Sequence, residues 1–189
     1  MKKLRHLPNA ITITRLILVL PIAFFIVEES YVLAFGLFAL SGLSDGLDGA
    51  LARRYGWVST FGRLIDPLAD KLMMITTAIV LGSLSHFPAM LVILIVTKDL
   101  AILGGVFSYT SLAGFPEIKP NLLGKVTTAA QILLIFLILL NLSFQNLLSL
   151  IVFDAWFWVV ALLTVFDGIF YLWLWTNRLA QDPRWKETM

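Results

Sequence analysis

The feature that most constrains this chain is a series of six apolar runs separated by short polar breaks. A helix needs about 20 predominantly apolar residues to cross the hydrocarbon core of a bilayer. Each run is of that length and predicts one transmembrane helix, so together they predict an all-α integral membrane bundle with six crossings. The predicted spans cover residues 10–27, 31–52, 61–81, 89–109, 122–142 and 153–175.

Composition agrees with a membrane protein. Hydrophobic residues make up 59% of the chain and charged residues only 14%, against about 25% charged residues in soluble domains. The net charge of +2 gives no reason to expect a nucleic-acid partner, and the absence of cysteine excludes disulfides and thiolate metal ligands. No second domain or repeat is evident, so residues 1–189 are read as one domain. The first apolar run lacks a small-residue cleavage site and is expected to stay in the mature protein.

The basic residues indicate the orientation in the membrane. Lys and Arg cluster at the chain ends and in alternate connections, while the connections near Glu28, Ser85 and Gln145 contain none. Because basic residues flanking spans are retained in the cytoplasm, both termini are predicted to be cytoplasmic. Residues 1–8 would suit a short basic surface helix. Lys71 and Lys98 lie inside predicted spans and so need a polar cavity or a partner.

Four aspartates lie where the second and third spans meet the cytoplasm. Asp45 and Asp48 are three residues apart, and Asp66 and Asp70 are four apart. On helices, these spacings place each pair on one face. Two antiparallel helices joined by a short link would bring all four carboxylates to a similar membrane depth. Intramembrane acids are costly and usually functional, so this cluster is the candidate site.

Four clustered carboxylates repel one another and must be neutralised by protons or by hard divalent cations. Oxygen-only ligands favour Mg²⁺, Mn²⁺ or Ca²⁺ over zinc. Two metals about 3.5–4 Å apart would suit an in-line displacement at phosphorus. Small residues beside the acids leave room for a ligand, and Arg53 would supply a cation for phosphate. Alternatively, the small residues serve helix packing and the arginines follow the cytoplasmic charge bias.

This stretch resembles the signature of the CDP-alcohol phosphotransferases, D-x2-D-G-x2-A-R-x8-G-x3-D-x3-D. Every fixed position is present, with eight residues between Arg53 and Gly62. The matching residues are Asp45, Asp48, Gly49, Ala52, Arg53, Gly62, Asp66 and Asp70. Eight specified positions within 26 residues form a specific signal.

The resemblance implies an enzyme of phospholipid biosynthesis that transfers a phosphatidyl group from CDP-diacylglycerol to an alcohol and releases CMP. It implies two Mg²⁺ or Mn²⁺ ions bound by Asp45, Asp48 and Asp66, with Asp70 as a further ligand or as the catalytic base. The implied CDP contacts are Asp48, Gly49, Ala52, Arg53 and Gly62. It also implies a homodimer surrounded by membrane lipid. We expect a bacterial inner-membrane location with the active site facing the cytoplasm.

The flanks resemble the branch that makes phosphatidylglycerophosphate and cardiolipin, through L-P-N-A-I-T-I-T-R, I-D-P-L-A-D-K and L-G-K-V-T-T-A-A-Q. Glycerol-3-phosphate is the predicted acceptor, because Gly124-Lys125 resembles the glycerophosphate enzymes. The alternative acceptor is phosphatidylglycerol, because Lys98-Asp99 and G-L-S-D resemble the cardiolipin synthases, which use it. An anionic acceptor needs cations near the site. The candidates are Arg15, Lys98, Lys119 and Lys125. Lys98 and Asp99 would otherwise form a neutralising pair.

Three further residues belong to no catalytic motif. His6 and His86 are isolated and are interpreted as surface histidines. Asp167, in the sixth span, needs a partner, and would be a packing residue or line a dimer or lipid groove. A rival class is a small cation transporter with intramembrane acids; a transporter site would more naturally lie near the midplane than at one face.

Overall fold

The computed structural model describes the backbone of residues 7–55, 60–113, 121–144 and 150–181, and the side chains of residues 13–44, 69–105, 121–144 and 152–177. Within those backbone ranges the chain forms six helices and no strand, which confirms the all-α prediction. The helices are α1 (Leu7–Val27), α2 (Tyr31–Tyr55), α3 (Thr60–Ser83), α4 (Ala89–Ala113), α5 (Leu122–Ser143) and α6 (Leu150–Gln181). Each contains one of the six predicted spans. The surface helix predicted for residues 1–8 falls largely outside the described residues, and Leu7 and Pro8 belong to α1.

Two of the helices meet the length and hydropathy expected of a membrane span within the described residues. They are Leu122–Ser143, with a mean hydropathy of 2.1, and Val152–Asn177, with 1.9. Large apolar side chains on α6 are also exposed, among them Trp158, Phe166 and Trp173. Exposed apolar area of this kind is typical of surfaces that face lipid or a partner. These features indicate membrane association, while the six membrane crossings stay a prediction.

The helices form two compact units. The first contains α1, α2, α3 and the part of α5 from Ile135 onward. Here α1 packs along both α2 and α3. Ile22 and Ile26 lie one turn apart on α1 and are fully buried, because a four-residue spacing puts both on one helix face. Buried alanines such as Ala34 and Ala78 let the helices approach closely.

Helices α1 and α3 end with the same hydrogen-bonded turn. Glu29 and Ser85 adopt left-handed backbone conformations, with φ of 55° and 61°. The following amides donate back to the last helical turn, from Ser30 N to Phe25 O at 2.8 Å and from His86 N to Leu81 O at 2.9 Å. This is the Schellman motif, in which glycine is the usual left-handed residue. Neither left-handed residue is glycine, so each turn carries backbone strain.

An aromatic contact joins these two turns. Tyr31 Oη and His86 Nε2 share a hydrogen bond at 2.9 Å, and the rings meet edge to face with centroids 5.5 Å apart. His86 is exposed, as expected for a surface histidine. The contact holds the turn after α1 against the turn after α3.

The second unit contains α4, α5 through Leu134, and α6. Helix α4 packs along α6. Polar side chains bond across α5 and α6, with Gln131 Nε2 donating to Thr164 Oγ1 at 2.8 Å. Such bonds bind helices together in an apolar environment, where burial of unsatisfied polar groups is costly. The unit therefore combines an apolar core with specific polar contacts.

Candidate active site

The motif residues lie on the helices that their spacing predicts. Asp45 and Asp48 are in the C-terminal half of α2, and Asp66 and Asp70 are in the N-terminal half of α3. Helix α2 continues past the predicted end of the span to Tyr55, because Ala-Arg-Arg favours helix beyond the apolar segment.

The side chains of most motif residues lie outside the described set. These are Asp45, Asp48, Gly49, Ala52, Arg53, Gly62 and Asp66. The metal-binding and CDP-binding roles expected for them stay predictions, as does convergence of the four carboxylates. No group of three potential metal ligands occurs among the described side chains. Asp70 is the one expected ligand within that set.

Asp70 forms an ion pair with Arg15. The Arg15 guanidinium donates from Nη1 to Asp70 Oδ1, linking α1 to α3. The Arg15 side chain is only 3% exposed, whereas that of Asp70 is 35% exposed. Arg15 was expected among the acceptor ligands. The structure instead brings it to the fourth carboxylate of the motif.

A small cavity adjoins Arg15. Its volume is about 110 Å³ and its walls come from α1 and α2. The lining residues are Thr14, Arg15, Leu18, Ser41 and Ser44. Ser41 is buried, and its hydroxyl has no hydrogen-bond partner among the described residues. Because Ser41 precedes Asp45 by four residues on α2, the cavity lies one helical turn from the motif.

A buried charge cluster occupies the second unit. Lys98 Nζ donates to Asp167 Oδ2 at 3.3 Å and lies 3.4 Å from Asp99 Oδ1. Lys98 is 4% exposed and each aspartate is 1% exposed. Asp167 thus has the partner that its place in a predicted span required. Lys98 contacts two carboxylates, which supports the neutralising alternative to acceptor binding.

The sequence contained a signal for this cluster. Lys98 and Asp99 lie in the middle of the fourth predicted span and Asp167 lies inside the sixth, and each required a partner in a low-dielectric setting. Pairing them with one another would have satisfied all three. Lys98 and Asp167 are 69 residues apart, so no local spacing indicated that they pair.

Helix α5 begins beside this cluster. A Cβ placed on Gly124 would lie 3.2 Å from Tyr171 Oη and 3.4 Å from Asp167 Oδ1, so glycine permits the first turn of α5 to approach α6. Asn121 caps the helix, with its Oδ1 accepting from Leu123 N at 3.2 Å. Lys125 is exposed in that first turn. Lys119, the remaining acceptor candidate, lies outside the described residues.

Comparisons with known proteins bear directly on this site. The family model for CDP-alcohol phosphatidyltransferase matches residues 5–170. A CDP-diacylglycerol–glycerol-3-phosphate 3-phosphatidyltransferase of Bacillus subtilis (strain 168) is 35% identical over 181 residues, covering 86% of this chain and 91% of the relative. CDP-diacylglycerol–glycerol-3-phosphate 3-phosphatidyltransferase 1, chloroplastic, of Oryza sativa subsp. japonica is 35% identical over 188 residues. The match covers 88% of this chain and 56% of the relative.

A second enzyme type is also similar to the chain. Cardiolipin synthase (CMP-forming) of Homo sapiens is 32% identical over 146 residues, which is 68% of this chain and 48% of the relative. The chain therefore spans about half the length of the rice and human relatives and most of the length of the Bacillus one. The family match extends well beyond the aspartate motif, across α1 to most of α6. The chain belongs to the CDP-alcohol phosphatidyltransferase family and is a transferase, as its motif predicted.

Proposed function

We propose that this chain transfers the phosphatidyl group of CDP-diacylglycerol to glycerol-3-phosphate, yielding phosphatidylglycerophosphate and CMP. The observation that carries the proposal is the similarity to the Bacillus glycerol-3-phosphate enzyme over nearly its full length. The aspartate motif and Gly124-Lys125 support the same conclusion. In this reaction the acceptor oxygen forms a bond to the phosphatidyl phosphorus, and the bond from that phosphorus to the CMP oxygen breaks.

The proposed setting is a bacterial inner membrane, with six spans and both termini in the cytoplasm. The one-sided distribution of Lys and Arg supports this orientation. It would place Asp45 and Asp66 near the cytoplasmic face, where a water-soluble nucleotide head group can enter while the acyl chains stay in lipid. We also propose a homodimer, which the exposed apolar face of α6 would accommodate.

The proposed metal ligands are Asp45, Asp48 and Asp66, with Asp70 as a further ligand or as the base. Their carboxylate oxygens suit Mg²⁺ or Mn²⁺, and two such ions would stabilise charge on the attacking and leaving oxygens. Arg15 already balances the charge of Asp70. The contact with Arg15 orients the Asp70 carboxylate, and we propose that this carboxylate receives the proton of the acceptor hydroxyl, with the other three acids holding metal.

The proposed CDP site is formed by Asp48, Gly49, Ala52, Arg53 and Gly62. Glycine and alanine on one stretch of α2 would allow the nucleotide to approach the backbone, since neither carries a bulky side chain. Arg53 would then donate to a phosphate oxygen with its planar guanidinium.

For the acceptor phosphate we propose Lys125 as the principal ligand. A phosphate placed against Lys98 would also face Asp99 and Asp167, so repulsion would offset the attraction. Lys125 is exposed and near the N-terminal end of α5, where helix dipoles favour anions. Lys119 would act beside it, and Arg15 would serve the reaction through Asp70.

The test is an assay of the purified chain with CDP-diacylglycerol, Mg²⁺ and separate acceptors, with products identified by mass spectrometry. The proposal expects CMP release with glycerol-3-phosphate. The second candidate, cardiolipin synthesis, is favoured by the similarity to the human enzyme and by Lys98-Asp99. Turnover with phosphatidylglycerol alone would establish that alternative. Cation flux into liposomes without any metal-dependent CMP release would instead support a transporter.

A further inference from the structure

We propose that Arg15 is a positioning residue that holds the Asp70 carboxylate in place for phosphatidyl transfer, an inference that rests on the proposed function. Arg15 lies on α1, outside the aspartate motif, and its Nη1 donates to Asp70 Oδ1 on α3. It thus contacts one end of the four-aspartate series directly. A contact with that carboxylate controls where its oxygens lie.

Burial of Arg15 restricts the geometry of its contact with Asp70. Arg15 is 3% exposed and α1 packs along α3, so its guanidinium has little freedom to leave Asp70. Removing Asp70 would leave the buried guanidinium of Arg15 without its counter-charge, which costs far more than loss of a fully exposed pair. The same burial opposes a role for Arg15 as a phosphate ligand, because an incoming polar acceptor would meet the more exposed Asp70 first.

The cavity explains how a guanidinium is accommodated there. Arg15 lines this space of about 110 Å³ together with the hydroxyl residues Thr14, Ser41 and Ser44. Arginine therefore lies between a carboxylate and a cavity whose lining includes three hydroxyl side chains. A guanidinium is planar and carries several donors in a rigid arrangement, whereas the ammonium of lysine is a compact charge on a flexible chain. Lysine would keep the charge but lose the geometry.

The test measures kcat and the KM for each substrate with Arg15→Lys and Arg15→Gln. We expect kcat to fall by about ten- to a hundredfold, the value of a charge-assisted hydrogen bond, while both KM values stay close to those of the wild type. Ser83→Ala is the control: it removes a hydroxyl at the C-terminal end of α3, whose bond goes to Val80 O, without touching the ion pair or the cavity. Its kcat should be close to that of the wild type.

A second pair of variants separates positioning from general destabilisation. Asp70→Glu lengthens the acidic side chain by one methylene, which would compensate for the shorter side chain of lysine at position 15. Arg15→Lys combined with Asp70→Glu should therefore recover part of the kcat lost in Arg15→Lys alone. Thermal unfolding in detergent should show the same coupling between the two positions, which provides a readout independent of turnover.

Several results would overturn the inference. A tenfold rise in the acceptor KM with kcat unchanged would make Arg15 an acceptor ligand, and a similar rise in the donor KM would assign the cavity to a donor phosphate. Reduced stability with normal kcat per folded molecule would leave a purely structural role. A wild type that releases no CMP would refute the proposed function instead, and the thermal coupling would then decide whether Arg15 and Asp70 act as a pair.

Discussion

Lys98 on α4 donates to Asp167 on α6 at 3.3 Å, and both side chains are almost completely buried. Asp99 is also within 3.4 Å of the same ammonium, so one cation serves two carboxylates. Removal of the Lys98 ammonium would leave two buried carboxylates without that counter-charge. Lys98 is therefore the most sensitive member of the cluster.

We expect Lys98→Met to lower the free energy of unfolding by about 3–5 kcal/mol, as for other buried pairs that lose one partner. Asp167→Asn should cost less, because it removes the excess negative charge and keeps a polar group beside Lys98. Thermal unfolding of both variants in the same detergent would measure the difference.

The same variants test how the acceptor is bound. Lys98→Met should leave the glycerol-3-phosphate KM of the remaining folded enzyme unchanged. Lys125→Gln should raise that KM by about ten- to a hundredfold, the value of a charged hydrogen bond, while leaving stability intact. A raised KM in Lys98→Met with an unchanged KM in Lys125→Gln would identify Lys98 as the ligand of the acceptor phosphate.

Gly105 on α4 lies against the indole of Trp175 on α6. A Cβ at this position would lie 2.7 Å from Trp175 Cδ1 and 2.9 Å from Cγ. Because Trp175 is buried, the ring cannot move away freely. We expect Gly105→Ala to destabilise the protein by about 1–3 kcal/mol through overpacking.

Its neighbour offers a matched control. A Cβ on Gly104 would meet nothing within 4 Å, so Gly104→Ala should raise stability by about 0.5–1 kcal/mol through helix propensity. Thermal unfolding of the two single variants is the measurement. Equal effects of both substitutions would show that the approach of Trp175 to α4 does not constrain this position.

Ser85 is the left-handed residue in the turn after α3, with φ of 61°. A left-handed conformation costs a non-glycine residue about 1–2 kcal/mol. Ser85→Gly should therefore raise the unfolding temperature modestly, since part of this relief is offset by the greater freedom of glycine in the unfolded chain. Ser83→Gly, in the last turn of α3, should lower it. An unfolding temperature lowered by both variants would contradict the strain argument.

Asp66 tests the metal proposal. Asp66→Asn keeps the size of the side chain but removes a charge proposed to bind metal, and losing a bound metal costs several kcal/mol of transition-state stabilisation. We expect turnover to be abolished with every acceptor. Chelation of divalent ions from the wild type should have the same effect, reversed by Mg²⁺ or Mn²⁺.

Asp154→Asn provides the control, since it makes the same chemical change at an exposed position of α6. CMP release with glycerol-3-phosphate should be normal in this variant. Residual metal-dependent turnover in Asp66→Asn would remove Asp66 from the set of essential ligands.

The sequence by itself determined the elements and the family. Helix formation depends on local residue choice and on the length of apolar runs, so the positions of α1 through α6 followed from the pattern alone. The spacing from Asp45 to Asp70 is likewise local, since it spans one connection between consecutive helices. Spacing alone was therefore sufficient to indicate the reaction class.

Only the tertiary structure decided which charged side chains meet. Arg15 and Asp70 are 55 residues apart, and Lys98 and Asp167 are 69 apart. Arg15 and Lys98 were predicted among the acceptor ligands because an anionic acceptor needs cations near the site. Helix packing directed each one to a carboxylate instead, because a buried charge is stable only beside its counter-charge. Which helix faces meet depends on the packing of several helices at once, and no local pattern in the chain encodes that choice.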